Sequence, residues 1–315
     1  MPVVRFVGSK AQGLAVARAL SAEGTPWRTE IVTLDDRHDA RSVLDAFVAL
    51  AAERHVPCTV VASRADARAL LCTPVDVQVV VGWYWMMSAE ERGSARCGTV
   101  GVHNSLLPHY RGGAPLTWSM INGDPVVGAT LFTLGHGMDD GDVWAQVSLA
   151  VGGDERIGEV LARLEPAATE MIMQALPGML DGSCVPAPQD HARATYAAQR
   201  VPNDGVIDWQ WPAQRIHDFV RAQSSPYPGA FTYLDGQRLT VWRTAVVGEQ
   251  WHATPGQVIA IRAPTVHVAC GDGRVLALLE VSVAGPRDVA AAIVRTRDTR
   301  FPPMPLLLDA LRSEA

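Results

Sequence analysis

VDVQVVVGWYWMM, residues 75–87, opens with valines broken only by Asp76 and Gln78 and closes on a glycine, three aromatics and two methionines. Apart from Asp76 and Gln78 this opening run is β-branched throughout and ends in three consecutive valines, Val79–Val81, which predicts a strand buried on both faces. Residues 58–62 read the same way, and residues 3–7, 30–34 and 98–103 supply three more strands. Between the first strands, residues 11–22 and 40–54 carry apolar positions at helical spacing. This βαβα rhythm predicts an α/β fold, a Rossmann-like and mostly parallel sheet with helices on both faces. In such sheets ligands bind beyond the carboxyl ends of the strands, so the loops after Val81 and His103 are the first places to look.

With 315 residues, 48% of them hydrophobic and 19% charged, the chain can bury one large core or two smaller ones. Its 27 basic residues against 33 acidic ones give a net charge of -6, and Lys10 is its only lysine. No basic face broad enough to neutralise phosphates is evident, so nucleic acid is not an expected partner. The five cysteines are scattered and form no CxxC pair, which points away from a disulfide framework or zinc ribbon and toward a reducing cytoplasm. No signal-like segment and no run of 18 apolar residues is seen, so neither export nor membrane anchoring is expected.

Farther along, residues 157–182 read as a helix stopped by Gly182, and residues 213–223 as another, broken by SSPYPG. Five runs, at 230–234, 239–246, 256–261, 265–269 and 275–283, read as strands. Asp235-Gly236 and Asp272-Gly273 are hairpin signals among them. The expected organisation is a catalytic α/β domain over 1–195, then a linker helix and a small OB-like β-barrel over 196–315, with scaffolding or dimer contact as its job. GSKAQG, after the first strand, lacks both the P-loop ending and the dinucleotide spacing, and reads as a tight strand-to-helix turn.

The densest chemistry lies in GVHNSLLPHYRGGAP, residues 101–115, and GHGMDDGD, residues 135–142. His103 ends a buried strand, where a polar ring needs a partner, and Asp139 on a glycine-rich loop could orient it and fix its tautomer. A Ser-His-Asp hydrolase would want a nucleophile elbow around Ser105, and none is present. A metal site built from His103, His109, His136 and the aspartates lacks ligand spacing. A His-Asp acid/base pair serving an organic substrate fits best.

These two segments resemble the core of the 10-formyltetrahydrofolate-dependent formyltransferase family, which includes the methionyl-tRNA, glycinamide ribonucleotide and amino-sugar formyltransferases. The family pattern is Asn-x-His, then SLLPxxRG, then an aspartate about 36 residues after the histidine. HNSLLPHYRGGAP and GHGMDDGD fit it at His103 and Asp139, and SSPYPGAFTYLDGQRLTVW, residues 224–242, resembles the start of the C-terminal domain of two-domain members.

The resemblance implies catalysis by His103 and Asp139. It implies a folate pocket at Trp83, Tyr84, Trp85, Met86, Gly137, Asp139 and Asp142, and a substrate pocket at Gly101, Ser105, Tyr110 and Arg111. The family's asparagine falls at Gly101, which is expected to leave a gap for a water, a bulkier acyl donor or the amide of Asn104. Asn104 is therefore the expected third catalytic group. The implied activity is formyl transfer from 10-formyltetrahydrofolate to the amino group of an amino sugar or nonproteinogenic amino acid. The alternatives are another one-carbon or acyl transfer on the same scaffold, or a noncatalytic folate-binding relative.

Overall fold

Residues 1–234, 236–262, 265–283 and 300–301 are described by the computed structural model. Asp235 of the first hairpin signal, and 284–299 and 302–315 of the expected C-terminal domain, lie outside the described residues. By its contacts the chain divides into two units. The first comprises Met1–Gly112, Gly128–Leu149 and Ala162–Tyr196, and the second Gly113–Val127, Ala150–Leu161 and Ala197–Ala315.

The N-terminal strands are β1 (Val3–Gly8), β2 (Arg28–Leu34), β3 (Cys58–Val61), β4 (Val77–Val81) and β5 (Thr99–His103). Helices α1 (Lys10–Leu20), α2 (Leu44–Arg54), α3 (Arg64–Leu71) and α4 (Ala89–Gly93) alternate with them. Next come β6 (Arg111–Gly112), α5 (Pro115–Ile121), β7 (Val126–Thr133), β8 (Val143–Ala150) and α6 (Ile157–Asp181). One seven-stranded sheet runs in the order β3-β2-β1-β4-β5-β7-β8. Pairing is parallel from β3 through β5, and β7 lies antiparallel to β5.

All five residues of β4 are buried, as its valine run predicts for a central strand. For β3 that expectation fails: Thr59 and Val60 are exposed, because the strand order puts β3 at the sheet edge. At the join between β1 and α1, a Cβ on Gly8 would lie only 1.8 Å from the carbonyl oxygen of Val81, so only glycine lets the two strand ends approach this closely. The GSKAQG segment is thus the tight turn its sequence suggests.

Two short helices that the hydrophobic pattern does not reveal are set by their caps. Ser63 accepts from the amide of Asp66 at the start of α3, and Ser88 with Glu91 forms a capping box on α4. α6 shows the expected periodicity, with Ile157, Val160, Leu164, Ala168 and Ile172 all fully buried.

The two-residue strand β9 (Tyr196–Ala197) falls where the first unit gives way to the second, and α7 (Ala213–Arg221) follows it in the second unit. Strands β10 (Ala230–Leu234), β11 (Gln237–Gln250), β12 (Val258–Arg262), β13 (Thr265–Ala269) and β14 (Arg274–Val283) complete it. They pair antiparallel in the order β10-β11-β14-β13-β12, and among the described residues β10 and β12 do not pair to close a barrel. Its core includes Trp209, whose ring stacks on Phe301 at 5.2 Å and whose indole donates to Thr232. α7 buries His217 between the Thr244 hydroxyl and the Gly153 carbonyl, each 3.0 Å away.

Candidate active site

Three segments at the carboxyl ends of β4, β5 and β7 enclose a cavity of about 460 Å³. From the segment after β4 come Trp83, Trp85, Met86 and Met87. β5 contributes Gly101, Val102 and His103, and the β7 side contributes Phe132, Leu134 and residues 135–139. The two tryptophan rings meet edge to face at 5.3 Å, and with Leu134 they pack against a core cluster containing Val7, Val80 and Met87. One wall is thereby both apolar and fixed. Arg92, on α4, also lines the cavity. Its guanidinium donates to the Met87 carbonyl, and no carboxylate among the described residues lies within ion-pair distance of it.

His103 is 8% exposed and its ring is held from several sides. Its Nε2 lies 2.7 Å from the main-chain carbonyl of Tyr110, an acceptor only, so the Nε2 proton is assigned by that partner. Nδ1 is left facing the Asp139 carboxylate, with Oδ2 3.6 Å away. Phe132 meets the imidazole nearly edge-on at 6.3 Å. Asp139 has φ of 48°, a left-handed backbone, and its Oδ2 accepts the Gly112 amide at 2.7 Å. A non-glycine residue persists in that conformation only where its surroundings over-determine it. The pair read from the sequence therefore meets on the cavity wall, with a main-chain partner fixing each member.

The comparisons with known proteins bear on this arrangement. Residues 36–176 match the family described as Formyl transferase, and residues 200–295 match Formyl transferase, C-terminal domain. A methionyl-tRNA formyltransferase of Sorangium cellulosum is 36% identical over 219 residues, 69% of this chain and 70% of that protein. This chain belongs to the formyl transferase family.

Two solved structures support the fold. A sugar 3N-formyl transferase, WlaRD, crystallised with dTDP and 5-N-formyl-THF, has a TM-score of 0.67 at 12% identity, covering 91% of this chain and 99% of that one. HypX from Aquifex aeolicus in complex with tetrahydrofolic acid has a TM-score of 0.60 at 19% identity. The match covers 88% of this chain but only 43% of HypX.

Within this formyl transferase, several residues expected at the site stand apart from the cavity. Tyr84 alternates away from Trp83 and Trp85. It is 53% exposed, and its hydroxyl lies 3.2 Å from Asp39. There it joins Lys10, whose Nζ is 2.6 Å from Asp36 and 2.9 Å from Asp39. The Arg41 amide, then Lys10, hold the Asp39 carboxyl well below the usual carboxylate range.

Asn104 follows the strand end and points to the other side, where its amide exchanges two hydrogen bonds with Gln12 at 3.1 and 3.2 Å. Ser105 is buried and donates to the His109 carbonyl, and Tyr110 contributes its carbonyl to His103. Arg111, 2% exposed, is bonded to Gln189 and His191 behind the wall. The main chain of Asp142 holds Thr133, and its side chain is not part of the wall.

Gly101 does line the cavity, but the gap expected beside His103 is filled. A Cβ there would lie 2.7 Å from Leu134 Cδ2 and 3.3 Å from Phe132 Cε1. The missing side chain is replaced by a leucine from the antiparallel neighbour side. Sequence reasoning also passed over Arg92, Phe132 and Leu134, whereas Met87 closes the 82–87 loop that it did single out. The common signal of those three is position, since each lies in or directly after an element bordering a predicted binding loop.

Proposed function

We propose that this formyl transferase moves a formyl group from 10-formyltetrahydrofolate to the amino group of a small molecule, an amino sugar or a nonproteinogenic amino acid. The observation that carries this reading is the His103–Asp139 pair set into the wall of a cavity of about 460 Å³, within the size range of small-molecule sites. The cavity suits a flat, partly polar heterocycle. Trp83, Trp85, Met86 and Met87 would hold its faces, while Arg92 and the 135–139 segment would meet its polar edge.

The carrier supplies a formyl group already bonded to a nitrogen leaving group. The acceptor nitrogen forms the new N–C bond, the carrier N–C bond breaks, one proton leaves the acceptor amine and one reaches the departing nitrogen. With Nε2–H committed to Tyr110, Nδ1 is the ring atom free to take up and return that proton, and Asp139 stabilises the ring while it carries the charge. Negative charge developing on the formyl oxygen needs a nearby donor. Gly101 brings no side chain, and Leu134 and Phe132 make that part of the wall apolar.

The acidic balance and the single lysine favour a small acceptor over a polyanion. A second reading, methionyl-tRNA as the acceptor, is favoured by the relative at 36% identity. Both are tested by incubating the protein with 10-formyltetrahydrofolate and either a panel of amino sugars and diamino acids or charged initiator tRNA, with formylated product followed by mass spectrometry. A formylated small amine upholds the proposal, and product with tRNA alone replaces its acceptor. Absence of product in every case, together with no calorimetric binding of 5-formyltetrahydrofolate at millimolar concentration, would overturn it. Among the described residues no helix is long and apolar enough to cross a membrane. The scattered cysteines, with no CxxC pair in the sequence, support action in a reducing cytoplasm.

A further inference from the structure

Gln189 lies 50 residues beyond Asp139 and is 6% exposed. Its Nε2 donates to the main-chain carbonyls of Asp139 at 2.9 Å and Gly141 at 2.7 Å. Its Oε1 accepts from Arg111 through Nε at 3.2 Å and Nη2 at 2.7 Å. A guanidinium can only donate and a carbonyl can only accept, so this amide has one workable orientation. The Arg111 Nη2 also lies 3.1 Å from His191 Nδ1, which must accept there.

The contacts close a ring. Arg111 fixes the oxygen of Gln189, and the Gln189 amide group grips the main chain on both sides of Asp140. Asp139 sits in its left-handed conformation with Oδ2 on the amide of Gly112, the residue after Arg111. Two anchors thus act on Asp139, one on its main chain and one on its carboxylate, and both come through the 111–112 segment.

We propose that Gln189 is a positioning residue for formyl transfer, holding Asp139 in the strained backbone state that aims its carboxylate at His103 Nδ1. This rests on the reading of His103 and Asp139 as the reacting pair. Gln189→Glu tests it, because the variant keeps an acceptor for Arg111 and nearly the same shape while turning a carboxylate oxygen toward two carbonyls. Arg111→Met with Gln189→Met removes the clamp without leaving a buried unpaired cation, and serves as the second variant should Gln189→Glu not fold.

The expected result is a kcat lower by about 10- to 100-fold, as for partners that orient a reacting group, with both KM values within about 3-fold of wild type. In an Asp139→Asn background the same change should cost less than about 3-fold, because the carboxylate being aimed is already gone. The NMR resonance of the Gly112 amide should lose the shift and exchange protection of its bond to the carboxylate. Equal losses of kcat in both backgrounds, or an unaltered Gly112 amide, would overturn the proposal. Should wild-type protein formylate no amine, the reading of the reaction fails, whereas the Gly112 amide still decides whether Gln189 positions Asp139.

Discussion

Replacing Gly101 by asparagine puts a side chain where the structure has no room for one. The Cβ alone would stand 2.7 Å from Leu134 Cδ2, roughly 1 Å inside ordinary carbon–carbon contact. Phe132, at 3.3 Å, is buried and would have to give by a few tenths of an ångström, and the end of the Leu134 side chain must turn away from the core cluster against which it packs. Overpacking of this kind costs about 1–3 kcal/mol. Leu134→Ala opens the space again, so the double variant should be more stable than the sum of the single changes by at least about 1 kcal/mol. Urea unfolding of the four proteins, compared by midpoint and slope, measures this. With an amide restored beside His103, formyl transfer by the double variant should rise by up to about 100-fold, the effect of one oxyanion donor. A Gly101→Asn protein that unfolds at the wild-type urea concentration, or strictly additive changes, would refute the view that Leu134 occupies the place of a side chain at 101.

His103→Ala and Asp139→Asn should each lower turnover by about 100- to 10,000-fold while leaving the thermal midpoint within a few degrees of wild type, as measured by calorimetry. Trp85→Ala should weaken binding of 5-formyltetrahydrofolate about 10-fold or more in isothermal titration, with little effect on the KM of the amine. The lowered Asp39 carboxyl contributes stability that is present above the ordinary carboxylate value near 4 and is lost as the pH falls through its folded value. Lys10→Met removes one of the groups that lower it, so urea midpoints recorded between about pH 2 and 6 should fall less steeply on acidification in that variant than in wild type.

Local chemistry was enough to read the sheet and to single out His103 and Asp139 as candidates. The valines of β4 cannot face water on either side, and the run of turn formers after β5 cannot continue a strand, so both the sheet and its loaded edge are visible one residue after another. His103 and Asp139 stand in segments whose glycines and prolines mark them without reference to the rest of the chain. Where a side chain finds its partner is a different matter, because partners far apart in sequence leave no mark on spacing. Tyr84 is drawn to Lys10 and Asp39 while its neighbours Trp83 and Trp85 face the cavity. Asn104 is taken by Gln12, 92 residues away, and Arg111 by Gln189, 78 residues away. The glycine at 101 reads as a gap in the sequence and is a packed wall in the fold, since the space a glycine leaves belongs to whichever side chain the neighbouring strand end brings against it.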